Sequence, residues 1–133
     1  MLRKWLFNCV ILLISVNVNA QKIQKVKVVS VPLYITSSFQ ISCNQFDKSF
    51  VQIKKEVLLK ESKIIKEING LFSMFVPIKL KGINVRGKLI LCNGKGKTKE
   101  ICFDEFGHFF KDDAFYENKK LFNFLLSNHF IEY

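Results

Sequence analysis

Three residues in the last third of the chain carry the side chains of a nucleophile, an acid and a base: Cys102, Asp104 and His108. A cysteine acts as a nucleophile when a base stands within about 3 Å of the sulfur and a third group orients that base. On a strand Cys102 and Asp104 share one face, because side chains alternate with a period of two. His108 follows across the turn Glu105-Phe106-Gly107. A thiol-dependent enzyme centred on Cys102 and His108 is therefore one reading, although any hairpin of this composition brings such groups together. The acids Asp104, Glu105, Asp112 and Asp113 fall at two separate turns of the same stretch. A calcium loop gathers its oxygens within one loop, with a glycine at the sharp bend. Acids split between two turns read instead as solvated turn residues. Zinc needs cysteines and histidines at set spacing, which Cys43, Cys92, Cys102, His108 and His129 do not offer. No metal and no cofactor are expected.

Arg86 stands out because every other basic residue after position 20 is a lysine. Its planar fork makes bidentate contacts that an ammonium cannot copy. An internal bridge to Asp104 or Glu105 is the plainer expectation, and contact with an acidic ligand is the functional one. Further along, Phe103, Phe106, Phe109, Phe110, Phe115 and Tyr116 form an aromatic-dense stretch, more than strand alternation can bury. Some belong to the core, and the surplus forms a partner-binding patch. Arg86, His108, Phe109, Phe110 and Tyr116 are the candidate ligand-binding residues.

The beginning of the chain has a different character. Arg3 and Lys4 precede an apolar run, Trp5 to Val16, broken only by Asn8 and Ser15, and Val18-Asn19-Ala20 follows. Positive end, apolar centre and small-residue site form the layout of an export signal. The run is well short of the roughly 20 residues that span a bilayer. Position 21 is Gln and Cys9 lies inside the run, so a lipid-anchored cysteine is not expected. Residues 1–20 are read as a cleaved signal and 21–133 as one domain, periplasmic or secreted, with no transmembrane segment.

Composition agrees with a folded domain, since 49% hydrophobic and 14% aromatic residues are too many for a disordered chain. Removing Arg3 and Lys4 lowers the net charge from +10 to +8. That balance favours acidic partners in general. The lysines are dispersed and often adjoin glutamates, as in Lys54-Lys55-Glu56, and arginine is nearly absent. Specific nucleic-acid binding is accordingly not expected.

Three cysteines remain after the signal, an odd number for an oxidising compartment. Cys92 and Cys102 flank the turn Asn93-Gly94-Lys95-Gly96-Lys97, which places Cys102 opposite the stretch from Gly87 to Leu89. Strands advance about 3.3 Å per residue, so Cys92 is too far from Cys102 for a disulfide. An internal bridge would join Cys43 with Cys92 or Cys102. Three buried thiols packed as small hydrophobes is the alternative.

These residues need elements to position them. Ile23 to Ile35 is rich in Val and Ile and reads as one or two strands, with Pro32 at a break. Phe39, Ile41 and Cys43 alternate as on a half-buried strand, and Asn44 to Ser49 reads as a turn. Phe50 to Lys60 fits helix or strand, and strand is preferred. Ser62 to Phe75 is the clearest helix, with apolar residues at Ile64, Ile65, Ile68, Leu71, Phe72 and Phe75 on one face. Ser62 is expected to cap it and Pro77 to end it; Gly70 within it hints at close packing or an early end. Strands follow at Ile83–Asn93, Lys97–Phe103, His108–Lys111 and Ala114–Tyr116, separated by turn chemistry. Asn118 caps a last helix, Lys119–Phe130. The fold class expected is α+β: an antiparallel sheet with a C-terminal meander, covered on one face by two amphipathic helices.

The stretch Asn84-Val85-Arg86-Gly87-Lys88-Leu89, then Ile101-Cys102-Phe103-Asp104, Phe106-Gly107, Tyr116 and the final helix, resembles an uncharacterised family of short exported proteins from Bacteroidota. The likeness covers roughly residues 40–130. It implies the same fold and export and no mechanism, and Asp112-Asp113-Ala114 stands where that family would have Asn-Gly-Lys.

The functional expectation is an exported, non-enzymatic binding module for a protein or cell-envelope component, with the thiol-dependent enzyme as alternative. The signal reading predicts that the exported protein has an intact mass beginning at Gln21. A mass retaining residues 1–20 would overturn it.

Overall fold

The computed structural model describes residues 22–133; the expected signal lies outside them. Seven strands form a single sheet: β1 (Ile23–Ser30), β2 (Lys55–Leu59), β3 (Val76–Pro77), β4 (Gly87–Asn93), β5 (Thr98–Phe103), β6 (His108–Lys111) and β7 (Ala114–Glu117). Their order across the sheet is β2-β1-β4-β5-β6-β7-β3, and every neighbouring pair is antiparallel. The helices are α1 (Cys43–Phe46), α2 (Ser62–Leu71), continued by a 3₁₀ turn at Phe72–Met74, and α3 (Lys119–Ser127). The α+β class and the β4–β7 meander are as the sequence implied.

Register explains which residues go inside. Val28 pairs with Val57 and Leu89, and Leu89 with Ile101. Gly87 pairs with Phe103, Phe103 with Phe109, and Phe109 with Tyr116. These rows lie on the face that α2 and α3 cover, through Ile65, Ile68, Leu121, Phe122 and Leu125. Full burial of such a side chain contributes roughly 1.5–3 kcal/mol, so this layer is the main source of stability. Gly87 is obligatory here for space, because a Cβ would land on the Phe103 ring.

The opposite face is covered differently. Val31, Ile41, Phe46, Ile83, Val85 and Cys102 form a second, smaller core. Its cover comprises residues 31–54 and 78–86, with α1 as its only α-helix. The disulfide Cys43–Cys102 fastens this cover to β5, with the Cα atoms 5.8 Å apart. Lys88, not Cys92, is paired with Cys102, and Cys92 remains a half-buried free thiol opposite Thr98. Of the two bridges left open by the sequence, the one to Cys102 forms, and the three-thiol alternative does not.

Several local readings require correction. Phe39, Ile41 and Cys43 form no strand: Ser42 caps α1 through a capping box with Gln45, whose backbone N–H it accepts at 3.3 Å. A local side-chain bond of this kind competes successfully with strand alternation. Part of the expected turn at 44–49 is consequently helix. Ser62 is the first residue of α2, not its cap; Glu61 holds the cap position without a side-chain bond. Gly70 meets no close neighbour, so it marks the early end and not tight packing. The strand expected at Ile83 starts only at Gly87, because residues 83–86 serve the cover. The final helix stops at Ser127, short of Phe130. His129 adopts φ 59° there, its N–H reaching Leu126 O and that of Phe130 reaching Leu125 O. That is a Schellman ending with histidine where glycine is usual, hence invisible to a search for Gly.

The disulfide closes a separation of 59 residues, for which chain entropy gives about 4 kcal/mol. The double variant Cys43→Ser/Cys102→Ser is expected to lose stability of about that size in denaturant titration. A loss of a few tenths of a kcal/mol would show that the cover holds without it.

Candidate functional site

The turn that joins β5 to β6 is set by Asp104. Its buried carboxylate accepts from the backbone N–H of Phe106 at 2.8 Å and of His108 at 2.9 Å through Oδ1. Oδ2 lies 2.8 Å from His108 Nδ1. A carboxylate only accepts, so Nδ1 is the donor in this contact. Gly107 takes φ 83° against the Phe122 side chain, a conformation glycine adopts without penalty. The result pushes Phe106 outward, 65% exposed, with its ring 6.1 Å from that of His108.

Alternation then places His108 and Phe110 on the same side of β6, the side of the smaller core. Phe115 pairs with Phe110 across β7, their rings 5.1 Å apart. Phe106, His108, Phe110 and Phe115 thus make a strip along the meander. Beside Phe110 and Phe115 runs a groove of about 260 Å³, whose wall from the cover comprises Gln40, Ser42, Cys43, Lys81 to Ile83 and Val85. The wall is rigid at its base because Cys43 is bonded to Cys102.

Arg86 holds that wall from within. It is only 3% exposed. Its Nε donates to Ile35 O at 2.9 Å, its Nη1 to Val85 O at 2.9 Å and to Asn84 Oδ1 at 3.1 Å, and its Nη2 to Ser37 Oγ at 3.0 Å. The ring of Phe50 lies 5.4 Å from the guanidinium carbon. The expected bridge to Asp104 or Glu105 is replaced by these uncharged acceptors, since the cover offers several unpaired carbonyls at this point. Burial holds Arg86 below the usual arginine range, and the charge of Glu105 partly opposes this.

The other sequence candidates divide. Phe110 lines the groove, and His108 belongs to the strip. Phe109 is fully buried in the helix-side core. Tyr116 also turns to that side, where Lys111 Nζ sits 4.4 Å from its ring centroid and 5.0 Å from that of Phe75. Cys102, the sulfur that a thiol enzyme would need as thiolate, is bonded to Cys43 and wholly buried. Among the described residues no cluster of His, Cys, Asp or Glu could hold a metal ion.

Sequence reasoning missed Lys88. It lies at 2% exposure between Asp47 at 2.8 Å and Glu100 at 3.0 Å. Its signal was a lone lysine inside the apolar run Gly87–Cys92. Both faces of that strand are covered, so it had to find partners. Asp47 belongs to the cover, which makes this bridge a second fastening. Compared with protein-family models, with characterised proteins and with solved structures, the chain matches none.

Lys88 gives the assembly a pH dependence. Burial lowers its affinity for the proton, but hydrogen bonds to Asp47 and Glu100 and their charges outweigh it, so the net shift is upward from 10.5. A raised folded value stabilises fully below the unfolded one and is lost as pH rises through the folded one. Stability of the native chain is therefore expected to fall more steeply above pH 10.5 than that of Lys88→Met. Denaturant midpoints measured across that window check this, and parallel curves would overturn it.

Proposed function

We propose that this chain is an exported, non-enzymatic binding module that engages a protein or a cell-envelope component through the strip Phe106–His108–Phe110–Phe115 and its adjoining groove. The observation that carries the reading is the half-open aromatic strip beside a wall fixed by a disulfide. Aromatic side chains bind much surface at little entropic cost, and a prefixed wall lowers the ordering cost of association. Charge supports it as well: Lys81 stands at the groove mouth, and the chain is strongly basic, which favours acidic partners.

Export fits the same reading. A structural disulfide persists in oxidising compartments such as the periplasm or the exterior. Among the described residues no helix is long and apolar enough to cross a membrane. Membership of the exported Bacteroidota family, on the motif around Arg86 and Cys102, remains part of this proposal.

The test is affinity capture from the exported and envelope fractions of the producing cell, with native protein, Phe106→Ser and Lys81→Glu. Both positions are exposed, so the thermal midpoint should be unchanged. The expected result is one partner held by native protein and depleted about tenfold in each variant, as loss of an interface contact worth about 1.4 kcal/mol requires. Equal capture by all three, or no partner at all, would overturn the proposal.

A further inference from the structure

The helix layer stops short of one end of its sheet face, near the tips of β1, β4 and β5. Two hollows open there, of about 410 Å³ and about 1040 Å³, and they share Ile23 and Phe72 as lining residues. They adjoin at these two residues, beside α2 and the strand ends, and so present one grooved region. Its floor is apolar: Leu91 and Ile101 in the smaller lobe, Ile65 in the larger, with Ile23 and Phe72 at the waist. Small-molecule sites typically occupy roughly 300–1,000 Å³ and combine such a floor with few polar groups.

The rim carries one sign of charge. Lys97, Lys99 and Lys111 border the smaller lobe and Lys22, Lys60 and Lys66 the larger, while no carboxylate lines either. Lys99 and Lys111 already hold a carboxylate just outside, that of Asp112, at 2.8 Å and 3.6 Å. Two positive-φ aspartates, Asp112 at 50° and Asp113 at 58°, make the tight β6–β7 turn that brings it there. Among the described residues Lys22, Lys60, Lys66 and Lys97 have no salt-bridge partner.

An apolar trough with cationic ends complements a molecule with one apolar chain and one anionic head. We propose that this groove binds a long-chain fatty acid, its acyl chain along Ile23, Phe72 and Ile65 and its carboxylate among the rim lysines. A carboxylate suits this rim better than a phosphate ester, because ammonium groups are point charges and the one fork-shaped cation among the described residues, Arg86, is buried at the other face. This site is separate from the aromatic strip and stands or falls independently of it.

The experiment is calorimetric titration of the full chain with monomeric dodecanoate, tetradecanoate and hexadecanoate. Expected are one bound molecule per chain and affinity rising roughly two- to fourfold per added methylene that enters the groove. The methyl ester of tetradecanoate should bind about tenfold more weakly, as should tetradecanoate to Lys66→Glu/Lys97→Glu, whose exposed positions leave the thermal midpoint unchanged. Phe72→Ala, checked for an intact melt, should flatten the dependence on chain length. Equal affinity for acid and ester would overturn the proposal. So would no saturable binding, or binding only to phosphatidylglycerol vesicles without affinity for monomer.

Discussion

A sheet of seven strands has two faces to bury, and among the described residues only two helices are long, both on one of them. The other face is covered by mostly irregular backbone, whose N–H and C=O groups find no ladder of their own. Arg86 meets that constraint. Its fork takes Ile35 O and Val85 O, while Asn84 Oδ1 accepts from both Arg86 and the Ile41 amide, the latter at 2.9 Å. The backbone of Val85 joins Ile41 O at 2.8 Å, and that of Arg86 joins Phe103 O at 2.8 Å. One residue thus ties the cover both to itself and to the end of β5. A lysine could not do this, because three donors on one nitrogen cannot fan out to four acceptors.

The two remaining fastenings act further along the same face. Cys43–Cys102 fixes the start of α1 over β5, and Lys88–Asp47 fixes its end over β4. Covalent, ionic and hydrogen-bonded ties thus hold a layer that gives the smaller core only five buried apolar residues, Val31, Ile41, Phe46, Ile83 and Val85. A layer held by point contacts leaves gaps between them. The groove beside Phe110 and Phe115 is such a gap, and Cys43, one end of the disulfide, is among its lining residues.

The helix face follows a different logic, in which packing alone decides. Phe103, Phe109 and Phe75 pack in contact, with ring centroids 6.0 Å and 5.3 Å apart. Phe72 of the 3₁₀ turn carries that packing on by stacking against Phe75, and it also lines both lysine-rimmed hollows. Within β6 and β7, Phe109 is therefore wholly core on the helix face, while Phe110 and Phe115 are only half-buried against the smaller core on the other.

Local pattern settled much by itself. The helix at Ser62, the cap at Asn118, the meander with its turns and the opposition of Cys102 to the Gly87–Leu89 stretch follow from periodicity and turn chemistry, which act within a few residues. The pattern likewise excluded a Cys92–Cys102 bridge. Within the candidate site, Phe110 and His108 were legible, because alternation from the Asp104 turn sends them to one side. What separated Phe109 and Tyr116 from them was which face the helices cover, and Arg86 became an internal tie because distant residues 35 and 37 arrive beside it. The same holds for Cys43 as the partner of Cys102 and for Lys88 between Asp47 and Glu100. Each depends on contacts across 12 to 59 positions, and no short-range preference encodes which distant segment folds over a given face.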